Sequence, residues 1–354
     1  MRASGMKILQ VGLGNFGKRH LEAWHRLGLG DQLRICELDP RKWEQAASYR
    51  LPRGSFSSSF EEFLDWADVV DIVTPTQSHF PVAQKALASG KDLFIEKPMT
   101  ISSGEARQLA DMAQEKERIV QVGFYYRTHP GSQVLKKKIA QGRLGALRYL
   151  SGNFMGFKRA RNDVGVMQTD GIHFLDFFNW LLDDFPVQVY AVCRDHFKRG
   201  LEDFSVALLQ YERGAVVKVE AGYVQPGRWR DKVVPGARTT KEIMVVGAQA
   251  SAEMDFETET LTIHPARHEL RDGTWTAVVG ESVQPAVASC DPVEMVSREL
   301  QAFLRCVQER RPASPGPVEG GVQPALLMEA IYESARTGEP VRMSAPALRG
   351  VSAA

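Results

Sequence analysis

Three short stretches of this chain carry groups that could do chemistry: Gly12-Leu-Gly14-Asn15-Phe16-Gly17, the carboxylate of Glu37, and Glu96-Lys97-Pro98. The first follows an apolar run, 8–11, and opens into helical periodicity through Phe16, Leu21, Trp24 and Leu27. A strand, a glycine turn and a helix form a cradle for a dinucleotide pyrophosphate. Gly12 allows the tight turn, Gly14 lets phosphate approach the backbone, and Gly17 lets helix and strand pack closely. The free N–H groups at the helix start then face the negative charge. Gly12, Gly14, Asn15, Phe16 and Gly17 are therefore expected to hold the cofactor. Glu37 ends a second apolar run, about 20 to 25 positions past the first glycine, where a carboxylate would take the adenosine ribose hydroxyls. The same spacing also fits an ordinary charge at a strand end. As a ribose ligand, Glu37 would repel a 2′-phosphate and favour NAD; Arg41, close in sequence, leaves NADP as the alternative.

In a doubly wound sheet, ligands bind outside the carboxyl ends of the strands. Two further strand ends then matter, Thr74-Pro75-Thr-Gln-Ser-His79 and Glu96-Lys97-Pro98. Pro98 fixes its own φ and keeps Lys97 out of the helical region, so the ammonium can be aimed. Lys97 could donate to a substrate hydroxyl or carbonyl oxygen beside a nicotinamide, or serve as a salt-bridged loop lysine. Thr74, Pro75, His79, Glu96 and Lys97 join the expected cofactor-binding set.

The elements that must position these groups read as alternating strands and helices. Strands are expected at 8–11, 33–36, 69–74, 92–95 and 119–122, with a helix from Asp39 to about Tyr49. Ser59 is expected to cap a short helix carrying Phe60, Phe63 and Leu64, and Ser102 or Ser103 a helix through Glu117. This pattern predicts a Rossmann-type parallel sheet, an α/β domain over 1–123. Beyond it come helices at 129–141 and 171–182, and strands at 147–153, 188–194, 203–211, 215–223, 241–247, 252–256 and 260–265. Helices at 293–310 and 322–337 close the chain. Successive strands without helices predict an α+β domain over 124–354 with a large, mainly antiparallel, open-faced sheet, the final helix being free to return to the first domain. An open apolar face is usually covered by another subunit, so a homodimer or homotetramer is expected.

With 44 basic and 43 acidic residues among 354, the net charge of +1 gives no field that would draw nucleic acid or an anionic membrane. No apolar run approaches the ~20 residues that span a bilayer. Met6 is a second candidate start, which would make the residues before it a short disordered lead. The four cysteines have no metal-ligand spacing and read as reduced thiols of a cytoplasmic protein; no metal is expected.

The glycine turn with His20 after it, Thr74-Pro75-x-x-x-His79, Glu96-Lys97-Pro98 and Gly171-Ile-His173-x-x-Asp176 occur in that order. Together they resemble the glucose–fructose oxidoreductase and inositol dehydrogenase (Gfo/Idh/MocA) family, over nearly the whole chain. The resemblance implies an NAD(P)-dependent enzyme that moves a hydride between nicotinamide C4 and a secondary alcohol or ketone of a sugar, cyclitol or sugar derivative. Lys97 matches the family's lysine that helps move the hydroxyl proton, Pro98 a proline commonly cis, and His173 the general acid/base. Read without the resemblance, His173 is a core histidine on an apolar helix. Many members place an aspartate four residues before that histidine; here Thr169 holds the position and Asp170 follows it. One helical step is a rotation of roughly 100°, so substrate identity is open at Thr169 and Asp170. Arg127, closing another family segment, is a candidate substrate contact or an interdomain salt bridge. Lys158-Arg-Ala-Arg161 reads either as a solvated loop or as a site for a substrate phosphate or carboxylate. The alternatives are a sugar-nucleotide dehydrogenase, a carbonyl reductase, or a dinucleotide-sensing regulator without turnover.

Overall fold

The computed structural model describes residues 5–345 apart from Arg50 and Arg53, so nearly all of the suggested lead before Met6 lies outside the described residues. The chain divides into two compact units. One runs up to Tyr125 and takes in Pro292–Leu326; the other comprises Tyr126–Asp291 and Leu327–Ala345. The expected division after residue 123 therefore differs in two respects: the chain crosses two residues later, and a long internal segment returns to the first unit.

The first unit is a parallel sheet of β1 (Ile8–Val11), β2 (Leu33–Cys36), β3 (Phe56–Ser57), β4 (Val69–Ile72), β5 (Asp92–Glu96) and β6 (Val120–Gly123), in the order β3-β2-β1-β4-β5-β6. Its strands are buried throughout except in β2 and β3, as a sheet covered on both faces requires. The helices among them are α1 (Gly17–Arg26), α2 (Glu61–Leu64), α3 (His79–Ala88) and α4 (Ser103–Glu115). Ser102 caps α4, its side chain accepting from the Glu105 amide, as expected. Ser59 does not cap α2; its hydroxyl donates to Glu61 instead. The helix expected over 39–49 is two 3₁₀ pieces, Pro40–Lys42 and Glu44–Tyr49. There Asp39 accepts from the Arg41 amide and the Trp43 indole donates to the Glu37 carbonyl, bonds that hold the chain in tight local turns.

The second unit holds α5 (Pro130–Ala140), β7 (Leu147–Phe157), α6 (Ile172–Leu182), β8 (Gln188–Arg194), β9 (Phe204–Gln210), β10 (Val216–Gly222) and β11 (Trp229–Arg230). It continues with β12 (Arg238–Gly247), β13 (Ala250–Asp255), β14 (Thr260–Arg271), β15 (Thr274–Val279) and β16 (Val341–Arg342). Its sheet runs β15-β14-β13-β12-β7-β10-β9-β8-β16, with β11 beside β12; β7 and β10 are parallel and the other pairs antiparallel. The large, mainly antiparallel sheet is as expected, while β11, β15 and β16 are additional. Helix α6 covers the inner face: a Cβ at Gly152 would meet the Phe174 ring at 2.6 Å.

Helix α7 (Pro292–Glu309) belongs to the first unit because its apolar stripe, Val296, Leu300, Phe303 and Leu304, completes a core with Leu21, Trp24 and Phe94. Helix α8 (Gln323–Thr337) follows. The Phe303 and Phe94 rings meet edge to face at 5.9 Å.

Beneath the glycine turn lies a buried charge cluster. The His20 ring donates from Nδ1 to Asp71 at 2.9 Å, its Nε2 is 3.3 Å from Glu96 Oε1, and the Trp24 indole also donates to Asp71. Burial alone would push this imidazole down, but Asp71 and Glu96 raise it to about 10. His20 is thus an imidazolium at neutral pH, tying α1 to β4 and β5. Because its folded pKa lies above the unfolded value, its stabilising effect is complete below the usual 6.5 and is lost as pH rises toward 10. The proton NMR signal of His20, identified by its loss in His20→Gln, should keep its imidazolium position at pH 8; titration near 6.5 would refute the assignment. Phe303→Ala should lower unfolding stability by about 3–5 kcal/mol, as for a fully buried aromatic. A loss under ~1 kcal/mol in denaturant titration would show that α7 is not part of this core.

Candidate active site

The glycine turn is built as a cradle. Gly12 has φ of +108°, and a Cβ there would meet the Val73 carbonyl at 2.7 Å. A Cβ at Gly17 would meet the Gly12 carbonyl at 2.5 Å, whereas one at Gly14 would meet nothing within 4 Å. Gly14 therefore faces open space, with Asn15 exposed and Phe16 half-buried beside it. One feature invisible in the apolar strand pattern is Gln10. Its buried amide donates to the carbonyls of both Gly12 and Gly17, each at 2.9 Å, and so fastens the two ends of the turn.

Glu37 reaches the same turn. One carboxylate oxygen accepts from the Leu13 amide at 2.8 Å; the other accepts from the Asp39 amide and the Lys42 ammonium, both at 3.0 Å. Burial works against ionisation, but these donors outweigh it and hold the carboxyl below its ordinary value. Arg41 is tied to Asp39 and largely exposed, while Lys42 is the cation that meets Glu37.

The turns after β4 and β5 are braced together by His79. Its Nδ1 lies 2.9 Å from the Pro98 carbonyl and its Nε2 2.9 Å from the Thr74 carbonyl. Both ring nitrogens thus lie against backbone carbonyls, so His79, expected in the cofactor-binding set, ties the two turns together. Thr74 accepts a hydroxyl bond from Ser78, and Pro75 stays exposed. Glu96 is also turned inward, toward His20, with its other oxygen accepting from the Lys97 amide at 3.2 Å. Gly123 leaves room for that carboxylate, which a Cβ would meet at 2.5 Å. The Lys97–Pro98 bond is cis. The carboxyl ends of β1, β2, β4 and β5 therefore bring the glycine turn, Glu37, Thr74-Pro75 and Lys97 to one edge of the first sheet.

In the second unit His173 sits one residue into α6 and is buried. The Tyr126 ring meets it edge to face at 5.2 Å and the Phe154 ring stacks at 6.3 Å. Helix α6 is preceded by a π-helical turn, Met167–Gly171, in which the Ile172 amide bonds back to the Met167 carbonyl. Such turns mark functional segments more often than chance. Asp170 lies in this turn, buried, with one oxygen 2.7 Å from the Lys158 ammonium. Thr169 turns its hydroxyl onto the Gly165 carbonyl at 2.8 Å.

Arg127, expected as a substrate contact or else an interdomain salt bridge, pairs with a carboxylate of its own unit. It is buried within the second unit and forms a two-pronged pair with Asp176 at 2.8 and 2.6 Å. That pair holds α6 from the residue three positions after His173. The basic run 158–161 is likewise matched internally, Lys158 with Asp170 and Arg161 with Asp163 at 2.8 Å. Sequence reasoning missed a further buried group: the Lys241 ammonium lies 2.6 Å from Glu257, 3.1 Å from Asp231 and 5.2 Å from the Phe154 ring centre.

Comparison with known proteins agrees with this anatomy. The family profile "Oxidoreductase family, NAD-binding Rossmann fold" matches residues 6–124, and the "GFO/IDH/MocA C-terminal domain" profile matches 132–253. The UDP-N-acetylglucosamine 3-dehydrogenase of Acidithiobacillus ferrooxidans is 29% identical over 330 residues, covering 89% of this chain and 93% of that protein. Its crystal structure superposes with a TM-score of 0.78 over 93% of this chain and 97% of its own. An inositol 2-dehydrogenase of Klebsiella pneumoniae is 29% identical over 96% of this chain and 97% of its own length. Levoglucosan dehydrogenase in complex with NADH, 21% identical, has the same fold at a TM-score of 0.81, over 97% of this chain and 100% of its own. The cradle that a Cβ would fill, the carboxylate anchored beside it and the matches to both parts of the chain place this protein in the Gfo/Idh/MocA family of NAD-binding oxidoreductases.

Proposed function

We propose that the chain oxidises a secondary hydroxyl of a small sugar or cyclitol, or reduces the matching ketone, with Lys97 and His173 sharing the hydroxyl proton. The observation that supports this most is the setting of His173, an imidazole packed against Tyr126 and Phe154 on a helix whose approach carries a buried carboxylate. An imidazole exchanges protons near neutrality, which suits a group that takes a proton from an alcohol and returns it. Bound NAD supplies a nicotinamide C4 that accepts or returns the hydride. Gly12, Gly14 and Gly17 admit the pyrophosphate, with Asn15 and Phe16 lining the approach. Glu37 takes the ribose hydroxyls, Thr74 and Pro75 shape the nicotinamide end, and Glu96 fixes the peptide from which Lys97 starts. Asp170 accepts from substrate hydroxyls, and Thr169 contributes through the turn it stabilises.

A second reading, a sugar-nucleotide dehydrogenase, is favoured by the likeness to the UDP-N-acetylglucosamine enzyme. Against it, Lys158 and Arg161 already face carboxylates. The outer face of the second sheet exposes Tyr190, Leu208, Val216 and Met244, which supports a homodimer or homotetramer through that face. All four cysteines are free thiols, in keeping with a cytoplasmic setting.

Nicotinamide absorbance with NAD should rise on addition of a member of a panel containing myo-inositol, D-xylose, D-glucose and UDP-N-acetylglucosamine. With the substrate so found, Lys97→Ala and His173→Asn should each lower kcat about 10²- to 10⁴-fold while leaving the Kd for NAD unchanged. An unchanged kcat in either variant would remove that residue from the mechanism. Glu37→Ser should shift the NAD-over-NADP affinity ratio toward NADP by about tenfold or more, roughly 1.4 kcal/mol; an unaltered ratio would overturn the role of Glu37.

A further inference from the structure

The segment that delivers His173 enters α6 through an unusual turn, in which Asp170 is met by Lys158. The start of that turn is supported by Glu202, just before β9. The Glu202 carbonyl accepts from the Val166 amide at 3.1 Å, and its carboxylate Oε1 accepts from the Met167 amide at 3.1 Å. The same oxygen accepts from the Tyr332 hydroxyl at 2.9 Å. Two consecutive amides at the start of the π-helical turn are thus held by one residue of the loop that leads into β9. The carboxylate also fills the space that a Cβ at Gly165 would take, which accounts for glycine there. Glu202, Val166 and Met167 are all buried, so water does not replace these bonds freely.

We infer that Glu202, seated over Gly165 and bonded to Met167 and Tyr332, is a positioning residue that sets the orientation of His173 through the π-helical turn. The inference rests on His173 being the proton carrier, but its test does not require turnover. Burial raises the Glu202 carboxyl above its ordinary value, against the bonds from Tyr332 and Met167. A neutral group at this place is therefore well tolerated, provided that one oxygen still accepts. Glutamine meets that condition and leucine does not.

The test follows the imidazole cross-peak of His173 in the full-length protein at fixed pH, identified by its loss in His173→Asn. Glu202→Gln should leave the peak where it is in the unaltered protein. Glu202→Leu should displace it, or split it into several positions, while the Kd for NAD stays within about twofold because the glycine cradle is untouched. A folded Glu202→Leu protein whose His173 peak overlays that of the unaltered protein would overturn the inference. Should Glu202→Leu not fold, Tyr332→Phe removes one donor with little change in packing. It should displace the peak in the same direction but less far, and an unmoved peak there would equally sink the idea. Failure of the proposed function has a different mark, full turnover by His173→Asn.

Discussion

The first unit depends on a positive charge that has no access to water. His20 lies between Asp71 and Glu96, with Trp24 adding a further donor to Asp71. A lone ionised carboxylate in that position would carry a desolvation cost of several kcal/mol, and two would repel each other. The imidazolium makes both tolerable and, in doing so, fixes three elements at once: the helix that follows the glycine turn, the middle of β4 and the end of β5. Glu96, held in this way, precedes Lys97, so the geometry of the strand end follows from a charge balance set beneath the sheet.

The second unit applies the same rule with different groups. Asp176 on α6 is met by Arg127, Asp170 in the π-helical turn by Lys158, and Lys241 by Asp231 and Glu257. Removing one member of such a buried pair typically costs about 3–5 kcal/mol, because the other is left as an uncompensated charge. Each pair therefore behaves as a fastening. Arg127–Asp176 secures α6 from the residue three positions after His173, while Glu202 secures the turn that leads into it. Between them the histidine has little freedom to drift.

What the sequence disclosed follows from how each feature is encoded. The strand, glycine turn and helix were legible because Gly12 and Gly17 occupy positions where a Cβ would strike backbone. Ser102 as a cap was legible because its oxygen serves a single amide three residues on. Gln10 was not, since one polar residue in an apolar strand reveals nothing about which carbonyls its amide will find. The π-helical turn at Met167–Gly171 also leaves no compositional mark, because a bond to the fifth residue back uses backbone alone. The segment at 40–49 has helical composition, but the side chains of Asp39 and Trp43 bond the neighbouring backbone and favour tighter turns. The stripe on α7 announced a buried face without saying which core it would complete, since periodicity encodes the existence of a partner and not its identity. Strand β15 is exposed along nearly its whole length, so no alternation of buried and exposed positions distinguished it from a loop.

The way charge is apportioned bears on what each unit can recognise. In the first, the start of α1 carries no acidic side chain, and Gly14 opens the backbone to approach, an arrangement suited to phosphate oxygens. In the second, Lys158, Lys241, Arg127 and Arg161 each face a carboxylate at ion-pairing distance. A phosphate bound by any of these four cations would have to draw it away from its carboxylate, at a cost greatest for the buried pairs. A polyol makes no such demand, because its hydroxyls donate to carboxylate oxygens already held in place, and its C–H faces can rest on rings such as Phe154 and Tyr126. The glycine turn of the first unit is thus shaped to admit an anion, and the paired carboxylates of the second unit offer acceptors that a hydroxyl-rich partner can use.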